Sequence, residues 1–476
     1  MELNLQLLGP ELALAGAAIC VILADAFMPR GLTRPAIYAI AAIGIIVSAA
    51  LALGLLGTST TGFAGALAVD TYAVYFKLLF LAATALVLLS ATGFVDSLPR
   101  YRAEFVGLLL LATTALMFLA SATELITVYI ALEMSSLSIA FLSAWAKRGL
   151  AATEAGLKYF LLSAMSSAVL LYGMALLYGL TGQTRLDAIA AALTAGPSGP
   201  LLLSLALLLA GFGFKVSAVP FQMWTPDVYE GAPTPVTAYL SVASKAAGFA
   251  AAIRVFETAL PAAQPEWAML FAAVAAATMT VGNVVALVQS NVKRMLAYSS
   301  IAQAGYILVG VAAASSSGVA AVLFYLLAYT ATNLAAFTAV IAISRRTGSE
   351  QIADLRGLHQ RAPWLAFALA VSLLSLAGLP PFAGFFAKLY VFWAAIESGL
   401  TWLVLLAVVN SAVSLYYYAQ VIHDMYMVPA AAETRPEPSP SLALSLGISV
   451  VGLALLGVLS GFFFGIHDVA ARTLGH

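Results

Sequence analysis

The sequence predicts an all-α polytopic membrane protein, and three observations carry that prediction. Residues of the Ala, Val, Ile, Leu, Met, Phe, Trp, Tyr and Cys set fill 63% of the 476 positions. Asp, Glu, Lys and Arg together fill only 9%, where a soluble domain carries roughly 25%. Apolar runs of about 20 residues, the length that crosses a ~30 Å hydrocarbon core as a helix, recur from end to end. So few charges cannot cover a water-facing surface, which excludes soluble, disordered and secreted-scaffold classes. The 21 Lys and Arg balance the 21 Asp and Glu, so there is neither a basic surface for nucleic acid nor an acidic tail. The lone cysteine, Cys20, excludes internal disulfides, cysteine-ligated clusters and zinc ribbons.

Taken in order, the runs give about fourteen spans, centred near Ala17, Ile45, Ala83, Ala112, Leu132, Val169, Leu207, Val242, Ala277, Leu308, Ala331, Leu379, Leu415 and Leu453. The first reads as a retained helix. Its first 29 residues hold Glu2, Glu11 and Asp25 but no Lys or Arg, and a cleaved leader needs a cationic start. Spans one to three occupy 1–98, spans four to eight 104–256, spans nine to thirteen 268–427, and one final helix 440–476. The longest polar connections are 181–200, 345–363 and 428–440. None is long enough for a soluble domain, so the chain is one membrane domain.

Basic residues orient it. With the N-terminus outside, the inner loops collect 13 Lys and Arg: Arg30, Arg34, Arg100, Arg102, Lys147, Arg148, Lys293, Arg294, Arg345, Arg346, Arg356, Arg361 and Arg435. The outer loops and C-terminus collect Arg185, Arg254 and Arg472. A 13:3 ratio is a strong positive-inside signal. Both termini, including His476, are expected outside.

The seventh and twelfth runs are interrupted alike. LALLLAGFGFKVSAVPFQMWTPD carries Pro220 and Lys215, and AVSLLSLAGLPPFAGFFAKLYVFWAAI carries Pro380, Pro381 and Lys388. Proline removes a backbone donor and clashes with the preceding turn. Such breaks are either structural kinks or the broken helices that mark a transport site between repeats. On the second reading, spans 4–8 and 9–13 are two five-helix units. Since five is odd, the second unit is inverted relative to the first.

Five lysines lie within apolar runs: Lys77, Lys158, Lys215, Lys245 and Lys388. At a helix centre each costs on the order of 2.5–3.5 kcal/mol. Lys77, about one turn inside its span, is expected to snorkel to the interface. Lys215 and Lys245 cannot readily do so. Lys215 sits near the C-terminal end of its half-helix, where free carbonyls favour a cation. Lys388, two turns beyond Pro381, should feel little of that dipole. Glu133 is the acid near the centre of an unbroken span, set either for contact with Ser or Thr or for exchange with a lysine. A carboxylate and an ammonium whose separation changes shift each other's proton affinity. Glu154 and Lys158 are spaced for an i, i+4 pair. Tyr325, Tyr329 and Asn333 share one helix face, and Ser299, Ser300, Gln303 and Asn283 add neutral polar groups.

KVSAVPFQMWTPDVYEGAPTPVTAYLSVASKAAGF and NVKRMLAYSSIAQAGYILVG resemble signature stretches of one family. It is the antiporter-like membrane subunits of proton-pumping NADH:quinone oxidoreductase, respiratory complex I. WTPDVYEGAPTPVT together with LPPFAGFFAKLYVF resembles the smallest of the three paralogues. The resemblance implies a proton-translocating role for Glu133, Lys215, Lys245 and Lys388, with Glu104, Glu154 and Lys158 in support. It implies no cofactor or metal in this chain. FMN, iron–sulfur clusters and quinone would belong to other subunits of the enzyme. Partners would be the other membrane subunits, including the paralogues, and the lipid bilayer, with no nucleic acid; the location would be a prokaryotic plasma membrane. The runner-up is a subunit of an Mrp-type cation/proton antiporter. Gln222 and Gln303 stand where family members often have histidine, which removes a titrating group there. His359, His467 and His476 read as loop or tail residues, and His423 as interfacial.

Overall fold

The computed structural model describes residues 5–98, 100–146, 149–193, 198–430 and 435–474, with backbone only at 30–32. Lys147, Arg148, His476 and the side chain of Arg30 therefore lie outside what it describes. Among the described residues, thirteen helices are long and apolar enough to cross a bilayer. They begin with Leu5–Phe27, Thr33–Gly54, Thr71–Ser97, Arg102–Ser121, Leu125–Ser143 and Leu150–Thr181. The seventh is Gly199–Val216, followed after a break by the short helix Trp224–Gly231. Thr234–Ala259, Pro261–Ala286, Val292–Ala312 and Ser316–Thr347 come next, and Thr401–Met427 and Pro440–Val458 close the series. Between the eleventh and the last two lie Pro363–Ala377 and Ala383–Glu397, each too short to span alone. Counted as one broken span they make the expected fourteen.

Burial sorts the helices into a centre and a rim. Thr234–Ala259, Val292–Ala312 and Ser316–Thr347 are almost wholly enclosed, whereas the first two spans and Leu150–Thr181 leave most of their surface outward. Small residues permit the close approach that membrane helices need in place of a hydrophobic drive. A Cβ on Gly305 would lie 2.5 Å from the Met279 nitrogen, and one on Gly282 would lie 2.6 Å from that of Ala302. Spans nine and ten thus touch backbone to backbone.

Several expectations change. Lys77 does not snorkel: its ammonium is 2.7 Å from Glu11 Oε1, and both side chains are 1% exposed. A partner on the first span makes burial the cheaper solution. Arg254 is no outer-loop residue; it lies in the eighth span and pairs through two donors with Asp70, at 2.8 and 3.0 Å. His467 is not a tail residue. It is buried in the helix Ser460–Arg472, its ring edge-on to Tyr75 and Phe324. That helix is distinct from Pro440–Val458, so 440–476 is not a single helix. The connection 181–200 contains the helix Leu186–Ala192. The connection between spans two and three forms a two-stranded hairpin in which Thr60 pairs with Val69.

Candidate functional site

Both breaks end a helix with a left-handed residue, Ser217 at φ 65° and Gly378 at φ 85°. At the first, the backbone N–H groups of Ser217 and Ala218 donate to Phe214 and Gly213 at 3.1 and 2.7 Å. The indole of Trp224 donates to Phe214 O at 3.0 Å, and the N–H of Val219 donates to Thr278 Oγ1 at 2.9 Å. The freed backbone groups are thus satisfied inside protein, as they must be at membrane depth. At the second, the N–H of Leu379 donates to Leu374 O at 3.1 Å, and the N–H of Gly384 donates to Ser375 Oγ at 3.1 Å.

Lys215 projects from the last turn of its half-helix. Its ammonium donates to Ser135 Oγ and Ser136 Oγ, both at 3.0 Å, and to Tyr159 Oη at 3.5 Å. Glu133, just before these serines on the fifth span, makes no ion pair with it; its Oε1 is buried with no hydrogen-bond partner. Lys245 follows directly on a π-turn, Leu240–Ser244. Turns of that kind recur at functional sites, and no residue pattern in the sequence announces this one. The Lys245 ammonium donates to Ser300 O at 2.8 Å and also to Ser300 Oγ, beside the Tyr229 ring.

Lys388 reaches back across its break. It donates to Ala377 O at 3.0 Å and to Ser411 Oγ at 2.8 Å, and lies 4.6 Å from the centre of the Tyr306 ring. Ala377 is the last residue of the first half-helix, so this lysine does meet the negative end of a helix dipole. Side-chain length bridges the two turns that spacing alone kept apart.

Neutral polar groups occupy the ground between the lysines. Tyr306 Oη accepts from Asn283 at 2.9 Å, and Tyr417 donates to Asn283 Oδ1 at 3.0 Å. Ser299 and Tyr418 hydroxyls are 2.5 Å apart. Gln303 donates to Leu376 O at 2.9 Å and accepts from Tyr325. Asn333 donates to Ser241 at 2.7 Å, while the Tyr329 hydroxyl is buried beside Ser300. The three central lysines are buried and, among the described residues, none has a carboxylate within ion-pair distance.

The supporting acids divide. Glu154 and Lys158 pair at 2.7 Å, and Lys158 also meets Asp227 at 2.7 Å. Arg294 bridges Asp227 and Glu230 at 2.9 and 2.8 Å. From sequence, Arg294 reads only as an inner-loop cation, and Asp227 and Glu230 carry no signal of this junction although both sit inside WTPDVYEGAP. Glu104 lies apart, with one buried oxygen unpartnered, on a cavity it shares with Arg34, Arg100 and Arg102. Among the described residues no three His, Cys, Asp or Glu side chains gather as a metal ion would require.

Residues 122–414 match the family described as NADH:quinone oxidoreductase/Mrp antiporter, transmembrane. The chain belongs to this family. Its relatives within the quinone oxidoreductase branch are near: "NADH-quinone oxidoreductase subunit N" of Heliobacterium modesticaldum is 44% identical over 94% of this chain and 93% of its own. A chain of respiratory complex I from Thermus thermophilus superposes with a TM-score of 0.81 at 36% identity, covering 96% of this chain and 98% of that one. A chain of the Mrp complex from a Dietzia species shares the fold, with a TM-score of 0.83 at 22% identity, over 98% and 97%. These matches place the antiporter-like chain with complex I subunits more firmly than with Mrp antiporters.

Proposed function

We propose that this antiporter-like chain is the proton-translocating subunit, of the subunit N kind, in a membrane-bound NADH:quinone oxidoreductase. Electron transfer takes place in other subunits, which hold FMN, iron–sulfur clusters and quinone; this chain has no redox site of its own. The observation that carries the reading is the row of buried lysines Lys215, Lys245 and Lys388, solvated only by hydroxyls, carbonyls and ring faces. A buried ammonium without a counter-ion releases its proton at modest cost and regains it when a carboxylate approaches. Glu133 is the acid nearest in sequence to the serines that hold Lys215, and it lies near that lysine without forming an ion pair with it. Moving one proton against 100 mV takes ~2.3 kcal/mol. At ~1.36 kcal/mol per tenfold, that equals a roughly fiftyfold change in proton affinity, which burial and an approaching charge can supply.

The same reading makes residues 104–256 and 268–427 inverted repeats, with 1–98 and 440–476 as flanking helices. The matched left-handed ends at Ser217 and Gly378 support it. Other membrane subunits, including the paralogues, and lipid are its partners. The chain spans a prokaryotic plasma membrane with both termini outside.

The test is reconstitution of the assembled complex in vesicles, with Glu133→Ala, Lys215→Ala or Lys245→Ala in this chain. Protons moved per quinone reduced should fall while assembly persists. Unchanged ratios and turnover in all three would remove the relay.

A further inference from the structure

Four helix ends meet at one end of the bundle around a groove that takes no part in the lysine row. The second span contributes Arg34 and Tyr38, and the third contributes Thr92 and Gly93. The eleventh contributes Arg345, and Ser441 comes from the start of Pro440–Val458. The groove encloses about 640 Å³. Its walls are held by polar bonds. Tyr38 donates to Thr92 O and to Asp96 Oδ1 at 3.3 and 3.2 Å, and Arg34 pairs with the same carboxylate. On the other side the Thr92 and Ser441 hydroxyls are 2.6 Å apart, and Ser445 donates to Leu86 O at 2.9 Å.

Arg345 is seated on the floor. A Cβ on Gly93 would lie 1.8 Å from its Nη1, so only glycine leaves room for the guanidinium at that place. Asp96 is already satisfied by Arg34 and Tyr38. Among the described residues Arg345 and its neighbour Arg346 have no ion-pair partner, and both are exposed. The five fixed N–H donors of Arg345 make no ion pair among the described residues, with Glu437 lining an adjoining cavity, and the groove beside them is lined mainly by apolar surface, Pro35, Tyr38 and Pro440 among its residues. Farther along the two flanking helices, Ile46 of the second span and Leu444 and Ile448 of Pro440–Val458 are exposed.

We propose that this groove binds one anionic phospholipid, its phosphate on Arg345 and Arg34 and its acyl chain in the apolar groove between the second span and Pro440–Val458. Guanidinium groups match phosphate oxygens through paired hydrogen bonds, and basic pockets between membrane helices favour anionic headgroups. A water-soluble anion would use the recess but leave the apolar walls uncovered. The walls therefore select a lipid.

The test uses the intact complex in mild detergent, stripped of loosely held lipid and then offered phosphatidylglycerol or phosphatidylcholine with a photoactivatable acyl chain. Cross-links are mapped by mass spectrometry. Phosphatidylglycerol should label peptides of the second span and of Pro440–Val458, and phosphatidylcholine should label them far less. Arg345→Gln should lower that labelling about fivefold, the share of one basic residue at a membrane surface. Gly93→Leu should do the same by unseating Arg345, whereas Arg345→Lys, which keeps the charge but loses the paired hydrogen bonds, should fall between the parent and Arg345→Gln. Equal labelling by both lipids, or no change in Arg345→Gln, would overturn the proposal. So would complete displacement by millimolar inorganic phosphate, which would make the recess a free-anion site.

Discussion

The Glu11–Lys77 pair allows a prediction with its magnitude fixed by the structure. Its atoms are 2.7 Å apart and neither side chain is more than 1% exposed. Neither Glu11 oxygen has a further partner with hydrogen-bond geometry. At that distance and an effective dielectric of ~20, the attraction is about 6 kcal/mol, set against the loss of hydration of both ions. Replacing Lys77 by Met keeps the volume of the side chain but leaves a buried carboxylate uncompensated, a change that typically costs about 3–5 kcal/mol. Glu11→Gln strands the ammonium at a similar cost. The double variant strands neither, so its loss should be smaller than that of either single change. The assay is the rate of heat inactivation of the purified complex across the four-member cycle. Each single variant should inactivate many times faster than the parent, and the double variant should recover much of the difference. If the double variant inactivated as fast as the product of the two single effects, the charges would be uncoupled and the pairing argument refuted.

Three further predictions follow from particular contacts. Gly305→Val puts carbon against the Met279 backbone at 2.5 Å and should prevent spans nine and ten from packing, seen as loss of this chain from the complex on native gels. Asp227→Asn weakens a junction of Lys158 and Arg294 that is about one-third exposed; it should cost at most ~1 kcal/mol of stability, measured as a small fall in the midpoint of thermal unfolding. Single cysteines placed in 345–361, in a Cys20→Ser background, should react with an impermeant reagent only from the inner face. Labelling from the outer face would reverse the proposed topology.

Much of the architecture was legible because it rests on composition and spacing. Apolar length gives the spans, and Pro220 and Pro380–Pro381 give the breaks, since a missing donor acts locally. The positions of Lys215 and Lys245 could be read for the same reason. What each lysine touches could not. Ser135 is 80 residues from Lys215, and Ser411 is 23 from Lys388; only packing decides such pairs. Distance to the interface alone suggests that Lys77 snorkels; packing instead sets Glu11, 66 residues away, beside it. The same holds for Arg254, its partner Asp70 being 184 residues away. The π-turn before Lys245 leaves no mark in LSVAS, whose residues fit an ordinary helix equally well.

Lys388 offers the most direct test that a buried lysine of this chain must release a proton rather than supply fixed charge. Its ammonium bridges Ala377 O and Ser411 Oγ at 3.0 and 2.8 Å across the broken span. Arginine can present a cation to the same carbonyl and hydroxyl but does not give up its proton in proteins. The measurement is protons moved per quinone reduced in vesicles holding complexes with Lys388→Arg, Lys388→Ala or Lys388→Glu at matched assembly. The account predicts that the arginine variant fails nearly as badly as the alanine variant, while glutamate, which still titrates, retains part of the pumping. Full pumping with arginine would contradict it, because a permanent charge would then suffice.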